Sequence, residues 1–143
     1  MKYRMLQNIA EGQPLIPVVK HISQDKISRF GVVTGSTGPV HVDPAYCAAS
    51  PLKTTLAHGF LTMAYLCEVM ENNFGMAWNR SGVLDVKFVG AARPGDSLLV
   101  SGTVDSIRHT DEGEVVACRI NIVSQTGAVV LAGSTSVVLS EQS

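Results

Sequence analysis

Charge is scarce in this chain. Of its 143 residues only 16% are Asp, Glu, Lys or Arg, against 45% hydrophobic, and the formal net charge is −1. The eleven basic residues are scattered, so the clustered basic face that nucleic acid requires is missing. A composition this apolar excludes intrinsic disorder and implies that some surface is hidden in an oligomer. Cysteine is sparse as well. Cys47, Cys67 and Cys118 are odd in number, widely spaced and set among apolar neighbours, the pattern of reduced core thiols and not of a disulfide framework or metal site; a cytoplasmic protein is expected. Hydrophobic runs are short. The densest, Phe60 to Met70, falls far below the roughly 20 residues of a membrane span, and Lys2 and Arg4 are followed by no apolar stretch of signal-peptide type. The expectation is a soluble protein with no membrane partner. His, Cys and acidic residues nowhere show metal-ligand spacing, so no metal or organic cofactor is expected. Repeats are absent, and one domain covering residues 1–143 is expected.

What is present falls into a mixed first half and a strand-rich second half. Pro14 to His21 reads as extended. Ser23 then caps a helix from Gln24 to about Val33, with Asp25 in its first turn and Gly35 at its end. Ser36-Thr37-Gly38-Pro39 reads as loop, with Gly38 free to take unusual backbone angles. Asp43-Pro44 starts a short second helix as cap and first residue. From about His58 to Asn72 the chain reads as a helix whose only charge between Gly59 and Met70 is Glu68, hence buried nearly all round. Four strands follow, Gly82 to Val89, Ser97 to Ile107, Glu114 to Ser124 and Ala128 to Leu139. They carry alternation such as Asp85 and Lys87 against Val86 and Phe88, or Arg119 and Asn121 against Ile120 and Ile122. Short turns between long strands imply an antiparallel sheet. A curved antiparallel sheet wrapped around one buried helix, residues 58–72, is an α+β fold of the hot-dog arrangement.

Two segments hold chemistry-bearing residues: Phe30 to His41, with Val42-Asp43-Pro44 after it, and Ala57-His58-Gly59-Phe60-Leu61. A helix N-terminus offers unpaired N–H groups and partial positive charge, and a glycine there lets a carbonyl approach the backbone. For a thioester this is an oxyanion hole at Gly59, stabilising the enolate-like oxygen that develops when water adds to the β carbon. His41 is suited to deprotonate that water, because histidine titrates near neutral pH.

These segments resemble the hydratase signature of the MaoC-like, (R)-specific enoyl-CoA hydratase family: aromatic, two residues, aliphatic, small, Gly, Asp, any residue, Asn, Pro, aliphatic, His. Phe30, Val33, Thr34, Gly35, Pro39, Val40 and His41 match at the right spacing. The run His41 to Pro44, the pair His58-Gly59 and the turn Arg93-Pro94-Gly95-Asp96 are also similar, so the resemblance extends from about Ile22 to Leu139. It implies a hot-dog fold, an acyl-CoA substrate with no further cofactor, and a site where two protomers of a homodimer or higher homo-oligomer meet. Three positions depart from the pattern. Ser36 stands at the catalytic Asp, Gly38 at the Asn and Cys47 at the small residue after the His.

The resemblance implies catalytic roles for His41, Gly59 and, as a contact to water or substrate, Ser36. It places Gly38, Thr34, His58 and Phe60 against the substrate. Blander roles stand beside these: a structural hydrogen bond for His41, packing or capping for His58, steric necessity for Gly59, an inert loop position for Ser36. Asp43 is accounted for as a helix cap. Thr54 and Thr55 lie in the loop before His58. Met63, Met70, Phe60 and Tyr65 read as core or as the lining of an acyl tunnel. A serine hydroxyl does not replace a carboxylate in acid–base work. This leaves three functions: a hydratase or dehydratase working through His41, a silent acyl-thioester-binding subunit paired with a dyad-bearing hydratase in a hetero-oligomer, and a thioesterase, for which the helix's one acid, Glu68, is three turns from the start.

Overall fold

The computed structural model describes residues 5–140. Its first strand, β1 (Val18–His21), is shorter than expected: Pro14 makes only an isolated bridge to Thr103, since Pro14 and Pro17 have no N–H for a ladder. Helix α1 (Gln24–Thr34) begins where the Ser23 hydroxyl accepts from Lys26 N–H at 3.2 Å and ends at Gly35, left-handed at φ +78°. Pro39 is not loop. It opens a single helical turn, α2 (Pro39–Val42), in which its missing N–H costs nothing. Gly38, at φ −60°, takes no unusual angle. Helix α3 (Pro44–Ala48) is capped by the Asp43 carboxylate, which accepts from Tyr46 N–H at 3.0 Å.

The central helix, α4 (Gly59–Phe74), runs two residues further than the sequence suggests. It is followed by a short helix the sequence reading did not contain, α5 (Met76–Ser81), set off by Gly75 at φ +62°. The remaining strands, β2 (Val83–Phe88), β3 (Ser97–Thr110), β4 (Gly113–Ser124) and β5 (Val129–Leu139), pair antiparallel in the order β1-β3-β4-β5-β2. Register shifts at Val104/Ser106 and Ile122/Val123 bend the long strands. Alternation sorts the faces as read: Val116, Cys118, Ile120 and Ile122 are buried, Arg119 and Asn121 exposed.

The core forms where Leu66, Val69 and Met70 of α4 meet Leu98, Val100, Val104, Ile122, Leu131 and Val137 of the sheet. Each such side chain contributes roughly 1.5–3 kcal/mol by leaving water. Buried Asn73 ties α4 to the chain before β1, accepting from Ile16 N–H at 2.9 Å and donating to the Ile16 carbonyl at 3.1 Å and its own Val69 carbonyl at 2.8 Å. The helix is not buried all round, as its sequence suggested. Phe60 and Ala64 are exposed, and Met63, Tyr65 and Cys67 are half-buried, because one sheet covers one side only.

Candidate active site

Four pieces converge at the N-terminus of α4: the end of α1, the turn 35–38, helix α2, and the loop running to His58. His41 sits in α2, half-buried, with ring Nδ1 2.7 Å from the Leu56 carbonyl. A carbonyl only accepts, so Nδ1 is the donor in this hydrogen bond, and in the neutral ring Nε2 carries the lone pair. The turn is fixed from both sides. Gln24 Nε2 donates to the His41 carbonyl at 2.8 Å, the Thr55 hydroxyl donates to Gln24 Oε1, and Leu56 N–H donates to the Val40 carbonyl at 3.0 Å. Cys47, fully buried, places Sγ 3.6 Å from the Pro39 and Val40 carbonyls beneath the same turn.

His58 is the N-cap of α4 and only 5% exposed. Its ring lies flat on His41, 3.9 Å between centroids and 20° between planes, with Phe30 tilted against it at 5.0 Å. Nε2 donates to the Ser36 carbonyl at 2.8 Å, and Nδ1 is buried with no hydrogen-bond partner among the described residues. Ser36 is therefore joined to the histidine pair by its backbone, its side chain standing in an exposed turn. Gly31 makes this possible: a Cβ there would lie 2.7 Å from the Ser36 oxygen and 3.6 Å from His58. Thr34 turns its hydroxyl back to the Phe30 carbonyl at 2.7 Å, within α1, and Gly38 has open space around it.

Gly59 is the first residue of α4 and is exposed; its N–H, like those of any first turn, has no acceptor inside the helix. Its lack of a side chain has a cause of its own. A Cβ would fall 2.9 Å from Cδ1 and 3.0 Å from Cε1 of Phe88. Phe60, 65% exposed, meets Phe88 edge to face at 6.1 Å. Glu68 is straddled by Lys20 Nζ, 2.9 Å and 2.7 Å from its two oxygens, and is not presented at the helix start. Asp43 is spent on its cap. Among the described residues no group of three or more His, Cys, Asp or Glu could hold a metal ion, and no helix is long and apolar enough to cross a membrane.

The structure thus brings His41, His58, Gly59 and Phe60 together with the Ser36 backbone, while the Thr34 hydroxyl is turned back onto α1 and Gly38 reaches His41 through its backbone, its carbonyl accepting from His41 N–H at 2.9 Å. Sequence reading missed Gln24, Gly31, Leu56 and Phe88. A glycine inside a helix, where it costs about 1 kcal/mol relative to Ala, was the available signal for Gly31; Leu56 acts through its carbonyl, which no residue type announces.

A five-stranded antiparallel sheet packed along one side of a central helix defines a hot-dog fold, and two stacked histidines stand at that helix's N-terminus. The sequence agrees: residues 6–125 match the model of the MaoC like domain, and the chain belongs to that family. It is 28% identical over 137 residues to an (R)-specific enoyl-CoA hydratase of Rhodospirillum rubrum, covering 93% of this chain and 90% of that one. It is 27% identical over 111 residues to the 3-hydroxyacyl-thioester dehydratase Z of Mycobacterium tuberculosis, covering 75% and 74%. In fold it is similar to the (R)-hydratase from A. caviae involved in PHA biosynthesis, with a TM-score of 0.79 at 21% identity over 94% of this chain and 99% of that one.

Proposed function

We propose that the chain hydrates enoyl-CoA thioesters, or dehydrates the corresponding hydroxyacyl thioesters, with His41 as general base and Gly59 N–H as oxyanion donor. The observation that carries this is the Nδ1–H bond of His41 to Leu56, which frees Nε2 for a proton beside the positive end of α4. In the forward step the oxygen of water bonds to the β carbon while Nε2 takes its proton. Electrons move to the thioester oxygen, which Gly59 N–H stabilises. The imidazolium then returns the proton to the α carbon. Water is added across the double bond and nothing is left over, so no metal or organic cofactor is called for. Without the family's Asp a single base serves both halves of the reaction. A missing acid–base partner typically costs about 10²- to 10⁴-fold in rate, so slow turnover is expected.

The Ser36 side chain supports a second reading, a silent acyl-thioester-binding subunit that pairs with a dyad-bearing hydratase. In both readings an oligomer covers the open side of α4, where Phe60 and Ala64 are exposed. The free thiols Cys47, Cys67 and Cys118 fit a cytoplasmic setting. The ion-paired position of Glu68 disfavours a thioesterase. The test is hydration of a panel of enoyl-CoAs by the purified chain, followed as loss of enoyl-thioester absorbance, with acyl-CoA binding measured alongside. Turnover by the chain alone supports the hydratase, binding without turnover supports the silent subunit, and neither overturns both. Release of free coenzyme A from saturated acyl-CoAs marks the thioesterase.

A further inference from the structure

Phe88 is an inner-face residue that the core does not cover. In the β2–β5 register it stands opposite Leu131, as Leu84 stands opposite Thr135, and both partners are buried. Strand alternation therefore directs Phe88 toward α4. It reaches the helix at its first residue, where the core ends, and so remains 50% exposed. Its ring lies over Gly59 closely enough that a Cβ there would displace it, and Phe60 meets it edge to face at 6.1 Å. An aromatic surface thus stands at the helix N-terminus, one residue from the stacked histidines.

We propose that Phe88 is a specificity-determining residue that restricts substitution on the acyl carbon next to the thioester carbonyl. This rests on the acyl-thioester reading above. A carbonyl oxygen held by Gly59 N–H brings the α carbon, one bond from the carbonyl carbon, beside whatever covers the Gly59 backbone, and Phe88 covers it. A flat, unbranched acyl group lies along the ring. A branch at the α carbon runs into it. Phe60 extends the same wall outward and shields the unit from water. The occupant of this half-open face is the acyl group, because the face is continuous with Gly59 and the histidines.

The test is calorimetric titration of the full-length protein with butyryl-CoA and isobutyryl-CoA, saturated thioesters that differ in an α-methyl branch and cannot be hydrated. The wild type should bind butyryl-CoA more tightly by about 10-fold or more, the scale of one methyl group in a shaped apolar pocket, and Phe88→Ala should bring the two near parity. Phe88→Leu, a milder change, serves if the alanine variant does not fold and should move the ratio in the same direction. Parity in the wild type, or an unchanged ratio in both variants, overturns the proposal and leaves the acyl-thioester reading in place. An unchanged ratio with dissociation of the oligomer by light scattering makes Phe88 an interface residue, and also overturns it. A wild type that binds neither thioester overturns the acyl-thioester reading, and this proposal with it.

Discussion

The imidazoles of His41 and His58 lie face to face, 3.9 Å between centroids, while their hydrogen bonds run to different carbonyls, Leu56 for His41 and Ser36 for His58. One ring is the candidate base. The other supports it and also pins the 35–38 turn. His58→Phe keeps an aromatic ring against His41 but removes the donor to Ser36. Losing a partnered buried group costs about 1–3 kcal/mol, and each kcal/mol lowers Tm by about 2–4 °C in a chain of this size. Gly31→Ala should have a similar effect, because its Cβ displaces the same Ser36 carbonyl. The two variants break one contact, so thermal melting of the double variant should show less than the sum of the single effects.

Gly59 has been assigned two reasons for being glycine, and they separate experimentally. If Phe88 alone demands it, Gly59→Ala destabilises the protein, and adding Phe88→Ala makes room for the new methyl group. The double variant should then lose less stability than the two single changes summed, a coupling of about 0.5–3 kcal/mol for residues in contact. Thioester binding should survive in the double variant, since the N–H remains. Denaturation curves and binding titrations on the same four proteins read both effects.

Most of the fold was legible because its signals are local. Ser23, Gly35 and Asp43 mark helix ends by chemistry that acts within three or four residues, and Arg119 to Ile122 declare their two faces by alternation. The site was legible in part. His41, His58 and Gly59 stand out by residue type and by their place in the pattern. The carbonyls of Leu56 and Ser36 that orient the two rings belong to the backbone and leave no mark in a sequence. Phe88 read simply as the inward member of an alternating pair. That it overshoots the core and lands on Gly59 depends on where β2 ends relative to α4, a tertiary fact. The open side of α4 escaped for a related reason: an apolar helix sequence records that the surface is covered, not whether by its own chain or by another.

Burial moves Cys118, on the inner face of β4, up to about 11 from an ordinary 9.0. In the unfolded chain the thiol ionises near 9.0; in the native state it keeps its proton until about 11. The native state therefore holds the proton more tightly, and the stability this gives is complete below pH 9 and is lost as pH rises through 11. Tyr65 and Cys67 are also raised by burial and share in the alkaline loss. Thermal denaturation between pH 8 and 11 should show a shallower decline for Cys118→Ala than for the wild type; parallel declines would show that Cys118 ionisation contributes nothing.

Ser36 occupies an exposed turn, so a carboxylate placed there remains solvated and carries no desolvation cost. Ser36→Asp should raise the hydration rate by about 10²-fold or more, the contribution of a positioned acid–base group, with little change in Tm. An unchanged rate in a folded, thioester-binding variant would show that the side chain at position 36 does not face the substrate.

Proton transfer by His41 Nε2 on a thioester held at the start of α4 is the core of the proposed function. Its most direct test is the hydration rate of crotonyl-CoA by His41→Ala beside the wild type, with butyryl-CoA affinity measured for both. The predicted result is a fall in rate of about 10²- to 10⁴-fold with affinity preserved within a few-fold. Equal rates in the two proteins would contradict it.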